Sequence, residues 1–242
     1  MPDFTTAHQP SLVQDQHRRH FIRSAGTSLL VGICAPTALA QSPAKAPAAP
    51  ATAKPRTQPL ILVLGDSLSA EYGLARGTGW VALLEKQLAQ DKLAATVVNA
   101  SVSGETTSGG RSRLAALLAQ HQPTHVVIEL GGNDALRGLP LKNTEENLTV
   151  MTEAAQKAGA KVLLVGMQVP PNYGTDYANK FAGLFTTVAQ ARKAAVVPFF
   201  LKGVADGADP TRLFQPDRIH PRAEAHPQML ANVWPELKKL LR

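Results

Sequence analysis

From Pro59 onward, short unbroken apolar runs alternate with longer stretches patterned as helices. The runs Leu60-Ile61-Leu62-Val63-Leu64, 95–99, 125–130, 161–166 and 195–199 are rich in Val, Ile, Leu and Ala. That length and content fit strands covered on both faces. Between them, 79–90, 109–120, 144–158 and 176–193 read as helices, and a last helix covers roughly 222–241. Such alternation predicts βαβ units. The expected fold is α/β, a three-layer α/β/α sandwich around a five-stranded parallel sheet in the flavodoxin-like order 2-1-3-4-5. Asn143, with Glu146 three residues later, reads as a capping-box variant at a helix start, and Gly159 as the residue that closes that helix. No repeat emerges at a solenoid period.

The amino-terminal part breaks this pattern. Arg18-Arg19-His20-Phe21-Ile22-Arg23 precedes a modest apolar stretch, Ser28 to Ala35, and then Ala38-Leu39-Ala40. Charged region, apolar region and small-x-small site together describe an export signal, residues 1–40, of the twin-arginine type and cleaved after about Ala40. Ile33, just before the single cysteine Cys34, is too bulky for a lipoprotein cleavage site. The Ala/Pro-rich residues 41–58 read as a linker, and 59–242 as one domain with a core of its own. A periplasmic or secreted location follows, for a monomer whose core works without disulfides.

Charge changes the picture little. The net charge of +7 becomes +6 once the signal is removed, 22 basic residues against 16 acidic. These positive residues are scattered, with no dense Lys/Arg block and no interleaved aromatics, which argues against nucleic acid. Transient contact with an anionic membrane surface stays open.

Candidate chemistry gathers at one place. In an open parallel sheet the carboxyl ends of the strands share one edge. Ser67, in Gly65-Asp66-Ser67-Leu68-Ser69, follows the first strand, and Asn99-Ala100-Ser101-Val102-Ser103-Gly104 the second. Gly131-Gly132-Asn133-Asp134 follows the third, and Asp217-Arg218-Ile219-His220 lies beyond the fifth. Each has a bland reading: Ser67 or Asp134 as a helix cap, the glycines as turns, His220 and Asp217 as surface residues. Taken together they supply a reaction. Ser67 needs a base to become a nucleophile. His220 can take its proton, and Asp217 can hold the imidazole tautomer and stabilise the imidazolium. Backbone N–H groups of Ser67 and Gly104, with the Asn133 amide, can meet an oxyanion.

These four ordered blocks resemble those of the SGNH, or GDSL, hydrolases, in particular the small bacterial arylesterases, lysophospholipases and thioesterases. The resemblance spans nearly all of 59–242. It implies Ser67, Asp217 and His220 as catalytic residues, Ser67, Gly104 and Asn133 as the oxyanion hole, and no cofactor. The implied substrates are small ester or lipid molecules: aryl esters, lysophospholipids, acyl thioesters. By the same resemblance Pro170, Pro171, Asn172 and Tyr173 bind substrate, while Glu71 stands where a small residue is expected in some relatives and is read as narrowing or polarising the entrance.

Other residues attract chemistry less strongly. Glu129, inside an apolar strand, reads as a buried hydrogen-bonded carboxylate with a structural role. His121 and His125 are four apart, but His125 opens a strand and no flanking ligand set appears, so no metal is expected. His226, on the last helix, reads as a surface residue. Two alternatives stay open: a carbohydrate or peptidoglycan O-acetylesterase using the same residues, and a non-catalytic lipid or glycan binding module on the same fold.

Overall fold

The computed structural model describes residues 58–242. The signal read in 1–40 and all but the last residue of the linker at 41–58 lie outside them. Five strands, β1 (Leu60–Gly65), β2 (Thr96–Asn99), β3 (His125–Glu129), β4 (Lys161–Val165) and β5 (Ala195–Val197), form one parallel sheet. Their order, β2-β1-β3-β4-β5, is the expected one. Register runs Leu60 to Thr96, Ile61 to His125, His125 to Lys161 and Leu163 to Ala195. Every residue of β1 and β3, two of the three inner strands, is buried, whereas the edge strand β2 is partly exposed. That is why β1 and β3 carry continuous apolar runs.

Among the described residues six α-helices accompany the sheet: α1 (Trp80–Gln90), α2 (Thr107–His121), α3 (Gly132–Leu136), α4 (Leu141–Lys157), α5 (Thr175–Arg192) and α6 (His226–Leu240). Helices α1 and α6 pack together as one layer, while α2, α4 and α5 form the other. Trp80, Phe181, Phe185 and Phe200 are the largest side chains sealed inside. Trp80 meets Phe200 edge-on at 5.5 Å between ring centroids and gives its indole N–H to Ser69 Oγ at 3.0 Å, so its polar end is satisfied within the core.

Two local expectations change. The capping box at Asn143 does not form: α4 starts at Leu141 with Pro140 at its N-cap, and Asn143 lies in the first turn. Proline supplies the fixed backbone angle that leads into the helix. Gly159 does close this helix, in the left-handed conformation at φ +88°. Helix α2 starts earlier than its apolar pattern suggests. Thr106 caps it, and the distant Asp134 carboxylate takes the Thr107 amide at 2.8 Å.

Candidate active site

Ser67 sits where β1 has ended and the chain turns. A side chain on Gly65 would come within 3 Å of Ser69 Oγ and Glu129 Oε2, so only glycine lets this turn pack against β3. The second loop is tied to the first by backbone bonds that prolong the sheet, from Ala100 N–H to Val63 C=O and from Val102 N–H to Gly65 C=O. Gly104, at its tip, has φ +77°, and its carbonyl accepts from Arg137 Nη2 at 2.8 Å. The neighbouring Glu105 is ion-paired to Arg113 of α2. Asn133 stands on the short helix α3 that follows β3.

The fourth loop folds back over the first. Gln215 Nε2 donates to the carbonyls of Tyr72 and Pro221, at 3.0 and 3.2 Å, and the Gln215 amide donates to His220 C=O at 2.8 Å. His220 is thereby delivered to Ser67. Its Nε2 lies 2.9 Å from Ser67 Oγ, and its Nδ1 lies 2.7 Å from Asp217 Oδ2. Asp217 Oδ1 also accepts the amides of Ile219 and His220, at 2.9 and 3.0 Å. Burial opposes ionisation of Asp217, but these amides and the His220 ring outweigh it and hold its pKa down at about 2. An ionised Asp217 fixes the proton of His220 on Nδ1, which leaves Nε2 free to accept from Ser67. Among the described residues, neither the Ser67 nor the Gly104 amide is used on a protein acceptor. Both remain available beside the serine.

A second hydrogen-bonded chain runs beneath the first. Asp66 Oδ1 accepts the Leu68 amide and Oδ2 accepts Asn133 Nδ2, each at 3.0 Å. Glu129 Oε2 accepts Ser69 Oγ–H at 2.7 Å and lies 3.4 Å from the Asp66 amide. Asp66 and Glu129 are both buried, Glu129 in the structural setting expected of it. Burial pushes Asp66 up to about 6, against the pull of the Leu68 and Asn133 groups, and pushes Glu129 well above its ordinary value.

Other residues singled out in the sequence have local partners. Glu71 is engaged by the backbone that follows it. Its carboxylate accepts the Gly77 and Gly79 amides at 2.9 and 2.7 Å, which commits it to the loop that leads into α1. Pro170, Pro171, Asn172 and Tyr173 form a bend with a 3₁₀ turn after β4. Tyr173 stacks on Tyr177 of α5, and among the described residues the segment makes no hydrogen bond to Ser67, Gly104, Asn133 or His220. His226 is buried, not at the surface. Its Nδ1 accepts the Trp80 amide at 3.0 Å, supplying the cap that Gly79 cannot, and burial lowers its pKa. Both ring nitrogens of His125 are engaged, with Thr124 and with the Leu240 carbonyl at the end of α6.

Sequence reasoning missed Tyr72, whose ring lies 4.3 Å from the His220 ring and restrains it, and Gln215, the clamp between the two loops. Neither carries a motif. Tyr72 is more than 140 residues away in the chain from both Gln215 and His220.

A parallel sheet with a hydrogen-bonded serine, histidine and aspartate at its carboxyl edge is the architecture of an acyl-transferring hydrolase. Residues 63–227 match the GDSL-like lipase/acylhydrolase family, and the chain belongs to it as an ester hydrolase. It is 51% identical to Esterase TesA of Pseudomonas aeruginosa over 181 residues, 75% of this chain and 89% of that protein. To Thioesterase 1/protease 1/lysophospholipase L1 of Escherichia coli it is 41% identical over 167 residues, 69% of this chain and 77% of that protein. A crystal structure of TesA superimposes with a TM-score of 0.72 over 75% of this chain and 99% of the other. The psychrotrophic esterase EstA of a Pseudoalteromonas species, solved inhibited by monoethylphosphonate, gives 0.70 at 42% identity, over 75% and 98%.

Proposed function

We propose that Ser67, His220 and Asp217 are the catalytic triad of this ester hydrolase, and that the amides of Ser67 and Gly104 with Asn133 Nδ2 form its oxyanion hole. The observation that carries this reading is the unbroken chain from Asp217 through His220 to Ser67 Oγ, with contacts of 2.7 and 2.9 Å. His220 Nε2 takes the Ser67 proton as Oγ attacks the ester carbonyl carbon, and Asp217 stabilises the imidazolium that forms. The carbonyl oxygen becomes an oxyanion held by the three donors, each worth roughly 3 kcal/mol in the transition state. Collapse breaks the bond to the leaving oxygen, which receives the proton from His220 and departs as the alcohol. Water then repeats the sequence on the acyl-enzyme, releasing the carboxylic acid and restoring Ser67.

The preferred substrates on this reading are carboxylic esters with apolar acyl or aryl groups, lysophospholipids and aryl esters among them, with thioesters served by the same chemistry. Tyr72, Val102, Leu136 and Ile219 are the large hydrophobic side chains that stand exposed among the described residues, and each is a few positions from Ser67, Gly104, Asn133 or His220. Exposed apolar surface gathered around a site favours an apolar ligand. The test is kcat/KM of residues 41–242 on p-nitrophenyl esters from acetate to palmitate, alongside Ser67→Ala. The expected result is an optimum at medium or long chains and a loss of at least about 10⁴-fold in the variant. An acetate optimum would transfer the reading to an O-acetylesterase, and turnover independent of Ser67 would end it.

A further inference from the structure

Beneath the proposed site lie two carboxyl groups that the reaction sequence above does not use. Asp66 and Glu129 are buried at the carboxyl ends of β1 and β3, where these strands pair Gly65 with Glu129. Asp66 spends one oxygen on the amide of Leu68, the residue after the serine, and the other on Asn133 Nδ2. A carboxylate can only accept, so the nitrogen of the Asn133 amide, and not its oxygen, must face Asp66. One of the two Nδ2 hydrogens is thereby fixed. The other is the hydrogen an oxyanion needs.

We propose that Asp66 is a positioning residue for the reaction: its buried carboxylate holds one Asn133 amide hydrogen so that the second is presented to the oxyanion, while Glu129 Oε2 anchors the Asp66 backbone amide. The inference rests on the reading of Asn133 as an oxyanion donor. The surrounding contacts support it: the Trp80 indole donates to Ser69 Oγ at 3.0 Å, Ser69 Oγ to Glu129 at 2.7 Å and the Asp66 backbone amide to Glu129 at 3.4 Å, while the Asp66 carboxylate takes Asn133 Nδ2 at 3.0 Å. Two buried carboxyl groups this close share one negative charge. Glu129 is the more deeply buried and is pushed up by both burial and the Asp66 charge, so it keeps the proton. The charge stays on Asp66: burial opposes it there too, but the Leu68 and Asn133 donors favour it. An amide held by an anion is fixed more firmly than one held by a neutral acceptor. Because the donor is set before the oxyanion forms, its benefit falls on the transition state and not on substrate binding.

A double-mutant cycle on kcat and KM tests this, with Asp66→Asn, Asn133→Ala, the pair together, and Glu129→Gln. The expected results are a fall in kcat of ten- to a hundredfold for Asp66→Asn with KM within threefold, and a double variant within threefold of Asn133→Ala alone. Glu129→Gln, whose side-chain oxygen can still accept from Ser69 Oγ and from the Asp66 backbone amide, retains kcat within about fivefold. The same loss for Asp66→Asn in both backgrounds would overturn the positioning role while leaving Asn133 as a donor. Wild-type kcat in Asn133→Ala would instead end the oxyanion reading itself. A check that needs no folded variant is hydrogen exchange at the Asn133 side-chain amide of the unsubstituted protein, read by NMR. One proton, held by Asp66, is expected to exchange at least tenfold more slowly than the other, and equal rates would overturn the proposal.

Discussion

Glu129 shows what a single residue contributes when its surroundings decide its charge. In the unfolded chain it ionises near its ordinary value of 4.5, whereas in the fold burial keeps it protonated well above that. Above about pH 4.5 the folded state therefore binds more protons than the unfolded state, and stability falls as pH rises toward the folded pKa. Asp66 adds a contribution of the same sign up to about pH 6. Glu129→Gln removes the larger contribution and keeps the hydrogen bonds. Its melting temperature relative to the parent is expected to rise steadily between pH 5 and pH 8, measured by thermal denaturation at each pH. A difference that stays constant, or that shrinks with pH, would contradict the buried neutral acid.

At the scale of elements, β1 and β3 were legible because strands buried on both faces need continuous apolar runs, and the alternation with helices then left few orders for the sheet. The helix starts were less legible. Thr107 is capped by Asp134 and Trp80 by His226, 27 and 146 residues away, and no local window contains such a partner. The turn that leaves β4 depends on a comparably close fit. Gly166, just past β4, gives its amide to Val197 C=O at 2.7 Å, and a Cβ there would sit 2.5 Å from the Pro198 carbonyl oxygen. Backbone cannot move aside as a flexible side chain can. Gly166→Ala is expected to cost about 1–3 kcal/mol, which lowers the melting temperature by roughly 3–10 °C in a domain of this size. An unchanged melting temperature would show that the β4–β5 junction has slack.

For the molecule as a whole, the sequence placed four polar loops on one sheet edge, and the structure brings Ser67, His220 and Asp217 into contact there. Position on the sheet carried that inference, because strand ends in a parallel sheet are neighbours whatever their separation in the chain. Glu71 was less legible for the complementary reason: proximity to Ser67 in sequence does not fix which way a side chain turns, and its carboxylate accepts the Gly77 and Gly79 amides. The pairing of Asp66 with Glu129, and of Tyr72 with His220, depends on how loops from different strands settle against each other. In the proposed reaction Ser67 carries the acyl group, and this is tested most directly by treating the protein with a p-nitrophenyl alkylphosphonate, counting the p-nitrophenolate released and locating the adduct by peptide mass spectrometry. The expected result is one equivalent released, the phosphonyl group on the peptide containing Ser67, and no burst or adduct in Ser67→Ala. Stoichiometric inactivation with the label on another residue, or undiminished in Ser67→Ala, would contradict it.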